Sequence, residues 1–133
     1  MTVRAATPEE FAFLTERTGY VPGGGFRAIV KEVGGRVVGL VGFDGWTPAA
    51  VWMHVATEAP GACRSLLRES FRYAFEQAGR SLALGMVRAS NLRSLRLARR
   101  LGFRESGRIR GGWDVGEDVV LLELRREDCR WIG

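Results

Sequence analysis

VRASNLRSLRLARRLGF, Val87 to Phe103, runs from an apolar, strand-like end into a segment that carries four arginines. Asn91 stands where a helix needs a side-chain acceptor for its first free N–H groups. Leu92, Leu95, Ala98 and Leu101 follow at helical spacing as the apolar line. Arg93, Arg96, Arg99 and Arg100 point elsewhere, and Gly102 ends the helix. The arginines read three ways: a solvated face, a contact to a phosphorylated ligand, or a nucleic-acid stripe. Charge alone does not choose among them.

Working outward, strands and helices alternate. Val3 to Ala6 reads as a strand, and Thr7-Pro8-Glu9-Glu10 as a helix start, with a cap, a proline in the first turn and a glutamate three residues after the cap. That helix ends near Gly19. Phe26 to Phe43 has the pattern of a hairpin turning at Gly34-Gly35. Ala49 to Ala56 is a further strand, and Pro60-Gly61 leads into a helix. Its stripe of Cys63, Leu66, Leu67, Ser70, Phe71, Ala74, Phe75 and Ala78 closes at Gly79. Ser81 to Ala89 is a strand before the arginine-bearing helix. Phe103 to Arg110 and Asp118 to Leu124 close the chain as a strand pair around RGGWDVGE. The order β-α-β-β-β-α-β-α-β-β predicts an α/β (α+β) domain over residues 1–133. Its mixed, mostly antiparallel sheet would have six to seven strands and about three flanking helices.

Composition narrows the function. The 133 residues are 46% hydrophobic and 26% charged, a globular balance with no apolar run long enough to span a membrane. MTVRAATPEE has no export pattern, so a cytoplasmic location is expected. The net charge of +5 would suit a polyanion, yet Lys31 is the only lysine among twenty basic residues, which points to coding bias as much as to binding. Aromatics do not interleave with the arginines, an argument against a nucleic-acid partner. Cys63 and Cys129 lack metal-ligand spacing, and one histidine, His54, accompanies them, so no metal is expected.

This order, with VRASN, a short helix and LGF, resembles the GNAT family of acyl-coenzyme A-dependent N-acetyltransferases. The motif is most similar to the ribosomal-protein N-terminal acetyltransferases, and GEDVVLLELRREDCRW looks like the tail of small phage and bacterial members. The resemblance implies acetyl-CoA as cosubstrate and an amine as acceptor. Its coenzyme residues map onto VATEAPGACRSLL, where a loop and a helix start offer free N–H groups and a positive dipole end to phosphate. Gly61, Ala62, Cys63 and Arg64 fall in that segment, Val55 on the strand before it supplies a backbone N–H to the oxyanion, and Asn91 lies by the pantetheine arm. The loop departs from the pattern: Pro60 stands near the expected basic residue and Cys63 near the second glycine, with Arg64 as a substitute charge.

The acid/base residues also depart from the family. Ala98 stands where members carry a tyrosine, and Met86 where the alanine-specific branch has a glutamate. Ser94 is the candidate to address the coenzyme sulfur; otherwise it is a small residue in the first helical turn. His54 is the candidate base, because an imidazole titrates near neutrality; otherwise it is a structural histidine on an apolar strand. Glu58 is a further base candidate. Such a modest set favours an α-amine, with a pKa near 8, over a lysine side chain near 10.4. The short stretch between the first helix and Phe26 implies an open acceptor cleft, completed by a second subunit in a homodimer or by a macromolecular acceptor. Trp113 either lines that cleft or anchors its own turn. Two other readings stand beside the transferase: an impaired GNAT protein that binds coenzyme or a partner, and a basic nucleic-acid-binding domain.

Overall fold

The computed structural model describes residues 2–132, apart from the side chains of Pro60 and Ala62. Strand β1 is Thr2–Ala5. A 3-10 turn, Pro8–Phe11, leads into α1, Ala12–Thr18. The predicted start is present: Thr7 N–H donates to the Glu10 carboxylate at 2.9 Å. Glu10 in turn is paired with Arg4, whose guanidinium holds the carboxyl down at about 2. Gly19 ends α1 in the left-handed region, with φ 80°.

The β2 (Arg27–Val33) and β3 (Arg36–Asp44) hairpin turns where expected, with φ 58° at Gly34 and 78° at Gly35, values that glycine adopts without strain. Then follow β4 (Ala50–Thr57), a 3-10 turn at Pro60–Cys63 and α2 (Arg64–Phe71). The next six residues, Arg72–Gln77, widen into π-helical turns, which the apolar stripe had not announced. Strand β5 is Leu82–Arg88 and α3 is Leu92–Leu101. Strands β6 (Arg104–Asp114) and β7 (Glu117–Arg125) form a longer hairpin than expected, because β6 runs on through Gly111-Gly112-Trp113 with a register irregularity.

All seven strands form one sheet in the order β1-β2-β3-β4-β5-β7-β6. Each neighbouring pair is antiparallel except β4 and β5. The expected mixed, mostly antiparallel sheet with three helices is therefore the observed one. The larger core lies on the face covered by α2 and α3, around Phe71, Phe75, Leu66, Leu122 and Leu124. A smaller one, Leu14, Phe26, Val30, Leu40 and Ala56, lies under α1. Of the apolar line predicted for α3, Leu95 and Leu101 are buried, but Leu92 is 59% exposed. As the first residue of the helix, Leu92 precedes the turn that reaches the sheet.

Gly42 on β3 is a close approach rather than a turn. A Cβ there would lie 1.9 Å from Cζ of Phe26, whose ring crosses the strand. Gly42→Ala must displace that ring, and it is expected to lower stability by about 1–3 kcal/mol in a denaturant titration. An unchanged midpoint would show that Phe26 repacks freely.

Candidate active site

The single parallel junction positions the site. Strands β4 and β5 pair at Ala50–Leu82, Val51–Ala83 and Trp52–Leu84, and no further. Beyond that point each strand keeps only its outer neighbour, β3 or β7, and a gap opens in the middle of the sheet.

The main-chain directions in the gap follow from the ladders. Glu58 N–H donates to Val38 O at 3.0 Å, so Glu58 faces β3. Counting back in twos, Ala56 and His54 do the same, while Thr57 and Val55 turn their N–H and C=O groups to the gap. On the other side Ala89 N–H donates to Asp118 O at 2.9 Å, which leaves Met86 and Arg88 with main chain directed into the gap. Val55 thus offers a backbone N–H on an edge that has no strand partner, at the position named from the sequence.

Side chains alternate across the same strands. Met53 and Val55 belong to the α2/α3 face, as do Ala83 and Val87. His54 and Met86 therefore face α1. An inner cavity of about 70 Å³, space for several water-sized groups, passes through the gap from one face to the other. Ser94, Asn91 and Ala98 line it from α3; Leu14, Thr18 and Tyr20 from α1 and its following residues. Trp113 reaches in from the β6–β7 hairpin, with Cζ2 3.5 Å from where a side chain on Gly19 would begin. On the α1 face the cavity is thus roofed by Trp113 and Tyr20. An outer channel of about 350 Å³ continues past Val55, Thr57, Asn91 and Ser94 to the mouth at Glu58 and Arg93.

His54 is buried, its side chain 4% exposed, and its Nε2 lies 2.8 Å from Asp44 Oδ1. Tyr20 stacks on the imidazole, with centroids 4.0 Å apart, and donates its hydroxyl to the other carboxylate oxygen of Asp44. Burial pushes the Asp44 carboxyl up, but the hydrogen bonds from His54 and Tyr20 outweigh it and hold the group below its ordinary range. Asp44 is therefore a carboxylate that accepts, which calls for the N–H of His54 on Nε2; in the neutral imidazole this makes Nδ1 the acceptor nitrogen. Burial, then the bond to Asp44, pushes the Tyr20 phenol up to about 12. Neither Tyr20 nor Asp44 had been singled out from sequence. They lie 24 residues apart and carry no shared motif.

The other candidates separate. Asn91 caps α3 by accepting from Ser94 N–H at 3.1 Å, as expected, and it also lines both cavities. Ser94 lines both as well, and its hydroxyl has no hydrogen-bond partner among the described residues. Gly61 is exposed with open space around it, and Arg64 is exposed at the start of α2. The Ala62 side chain lies outside the described residues. Cys63 turns inward: its thiol packs against Gly39, points at Val38 O at 3.8 Å, and is raised in pKa by burial. Only the backbone of Cys63 is free to serve the loop. Glu58 is held by Arg17 and Arg36, at 3.4 and 2.7 Å, which removes it as an unencumbered base.

No family model and no curated protein sequence matches the chain. Solved structures do. Spermidine N-acetyltransferase from Vibrio cholerae, in a complex with CoA and spermine, superposes with a TM-score of 0.75 at 15% identity over 96% of both chains. The spermidine/spermine N-acetyltransferase SpeG from the same organism, with manganese ions, gives 0.74 at 15% identity over 93% of this chain and 91% of that one. A dodecameric form of the V. cholerae enzyme gives 0.75. Over nearly its whole length, this chain has the GNAT fold of those acetyltransferases.

Proposed function

We propose that the chain is an N-acetyltransferase that moves the acetyl group of acetyl-CoA to a primary amine. One observation carries the reading: the gap between β4 and β5, with the Val55 main chain turned into a through-sheet cavity. A pantetheine arm is an extended chain with amide groups, and an unpaired strand edge is what such a chain pairs with. The α2 start and Arg64 would take the phosphates, where N–H groups and positive charge converge.

Transfer then follows the geometry. The neutral amine nitrogen, approaching from the α1 face, attacks the thioester carbon and forms the C–N bond. Negative charge on the carbonyl oxygen faces Val55 N–H. The amine proton passes to His54 Nδ1 and the C–S bond breaks; the sulfur leaves as a thiolate hydrogen-bonded by the Ser94 hydroxyl and takes a proton from water, while His54 returns its proton to solvent. An α-amine needs less deprotonation than a lysine side chain, and this set supplies one base and no strong acid.

Calorimetric titration with acetyl-CoA tests the reading. One-site binding is expected, weakened about tenfold in Arg64→Glu, where a charge on phosphate is reversed at a helix start. Absence of heat at millimolar coenzyme would overturn it. Ala98 in the cavity wall, in place of a phenol, favours one second reading: a coenzyme binder without turnover. Binding with no release of free thiol across a panel of amines would mark that case.

A further inference from the structure

Arg88, within the opening motif, is the cavity residue that this chemistry leaves unused. Alternation along β5 puts its side chain with Met86 on the α1 face, the side from which the amine approaches. It lines the inner cavity together with His54, Tyr20 and Trp113. Its Nε is buried without a hydrogen-bond partner, and among the described residues no carboxylate pairs with its guanidinium. Arg4, Arg17, Arg36 and Arg108 all have acidic partners. A buried donor on a charged group is costly to leave unmade, and a cation in a cavity wall with no internal partner fits a site whose partner arrives from outside.

The remaining charges in the two cavities point the same way. Glu58 is the one carboxylate that lines either of them among the described residues, and Arg17 and Arg36 already occupy it. A polyamine would meet no free anion there and would face Arg88. Position adds an orientation. His54 lies two residues beyond the last β4–β5 pair and Arg88 four, about 7 and 13 Å along their strands. The amine end of an acceptor therefore sits inward at His54, and any group on Arg88 lies toward the open end.

We infer that Arg88 receives an anionic group of the acceptor, so that the substrate is a primary amine bearing a carboxylate or phosphate rather than a polyamine. The inference rests on the transferase reading above. Guanidinium matches either anion through paired N–H donors, which lysine cannot reproduce.

The test measures thiol release with acetyl-CoA and four amines of similar size: propylamine, β-alanine, phosphoethanolamine and putrescine. β-Alanine or phosphoethanolamine is expected to exceed propylamine in kcat/KM by about 10- to 100-fold, and putrescine to fall below it. The two anions separate a carboxylate site from a phosphate site. In Arg88→Leu the anionic-to-neutral ratio is expected to fall to about one, and Arg88→Lys to restore part of it. Acetyl-CoA affinity is measured in each folded variant; a loss there matching the loss in kcat/KM would assign Arg88 to the coenzyme and overturn the inference. Equal turnover of all four amines, or preference for putrescine, would overturn it and leave the transferase reading standing. No turnover of any amine despite coenzyme binding would overturn both.

Discussion

His54→Gln is expected to lower kcat/KM for acetyl transfer by about 10²–10⁴-fold, the range for loss of a positioned general base. Glutamine can still donate to Asp44, so the hydrogen bond at 2.8 Å and the stacking under Tyr20 have a substitute, but it cannot take a proton. Acetyl-CoA affinity is expected to stay within about twofold, because the imidazole faces α1 and the proposed coenzyme path runs along the β4 edge. The split between the kinetic constants separates catalysis from packing: kcat should fall in the variant while KM for acetyl-CoA stays near wild type. Asp44→Asn extends the test to a positioning residue. An amide at position 44 can donate as well as accept, so the proton is no longer confined to Nε2 and Nδ1 is no longer kept as the acceptor. Asp44→Asn should therefore lower kcat while leaving coenzyme binding in place. A His54→Gln enzyme with the wild-type rate would reduce His54 to a packed core residue.

Phe71→Ala is expected to destabilise the fold by about 3–5 kcal/mol, a large share of the roughly 5–15 kcal/mol of a typical domain. Phe71 is fully buried and sits at the centre of an aromatic cluster. Phe75 is stacked at 6.1 Å, Trp131 at 6.1 Å, and Phe103 is tilted at 6.3 Å. These rings come from α2, the following π-turns, the residue just before β6 and the carboxy-terminal segment, so a void there cannot collapse by moving one element alone. Denaturant titration reads the effect as a lower midpoint at constant slope. A loss below 1 kcal/mol would mean that the neighbouring rings close over the void.

Both predictions depend on features with different visibility in the chain. Phe71 belongs to a stripe whose spacing announces its burial. The cluster of His54, Asp44 and Tyr20 does not announce itself: Asp44 ends one strand of a hairpin and Tyr20 lies in the loop after α1, and neither has a local reason to meet His54. The gap is equally silent. Ala49 to Ala56 and Ser81 to Ala89 read as ordinary apolar strands, and nothing in either says that pairing stops at Trp52 and Leu84. Leu92 is exposed for a related reason, since periodicity gives a face but not where the neighbouring surface ends. The GNAT resemblance supplied the expectation of a coenzyme slot, and Cys63, first in the apolar stripe, turns its thiol into the core as that spacing predicts, leaving only its main chain to the loop.

What the chain determined by itself is what short-range physics determines. Gly34-Gly35 supplies a turn with both φ values positive, Thr7 to Glu10 a helix start, Asn91 a cap, and alternating apolar residues the strands that must bury a face. Tertiary structure alone decided the rest. The β4–β5 divergence brings Val55, His54, Ser94 and Arg88 around one cavity, and the β3–β4 register sets Asp44 beside His54. Those placements depend on pairings between residues far apart in sequence, each stabilised only once the whole sheet has assembled, so no local pattern records them.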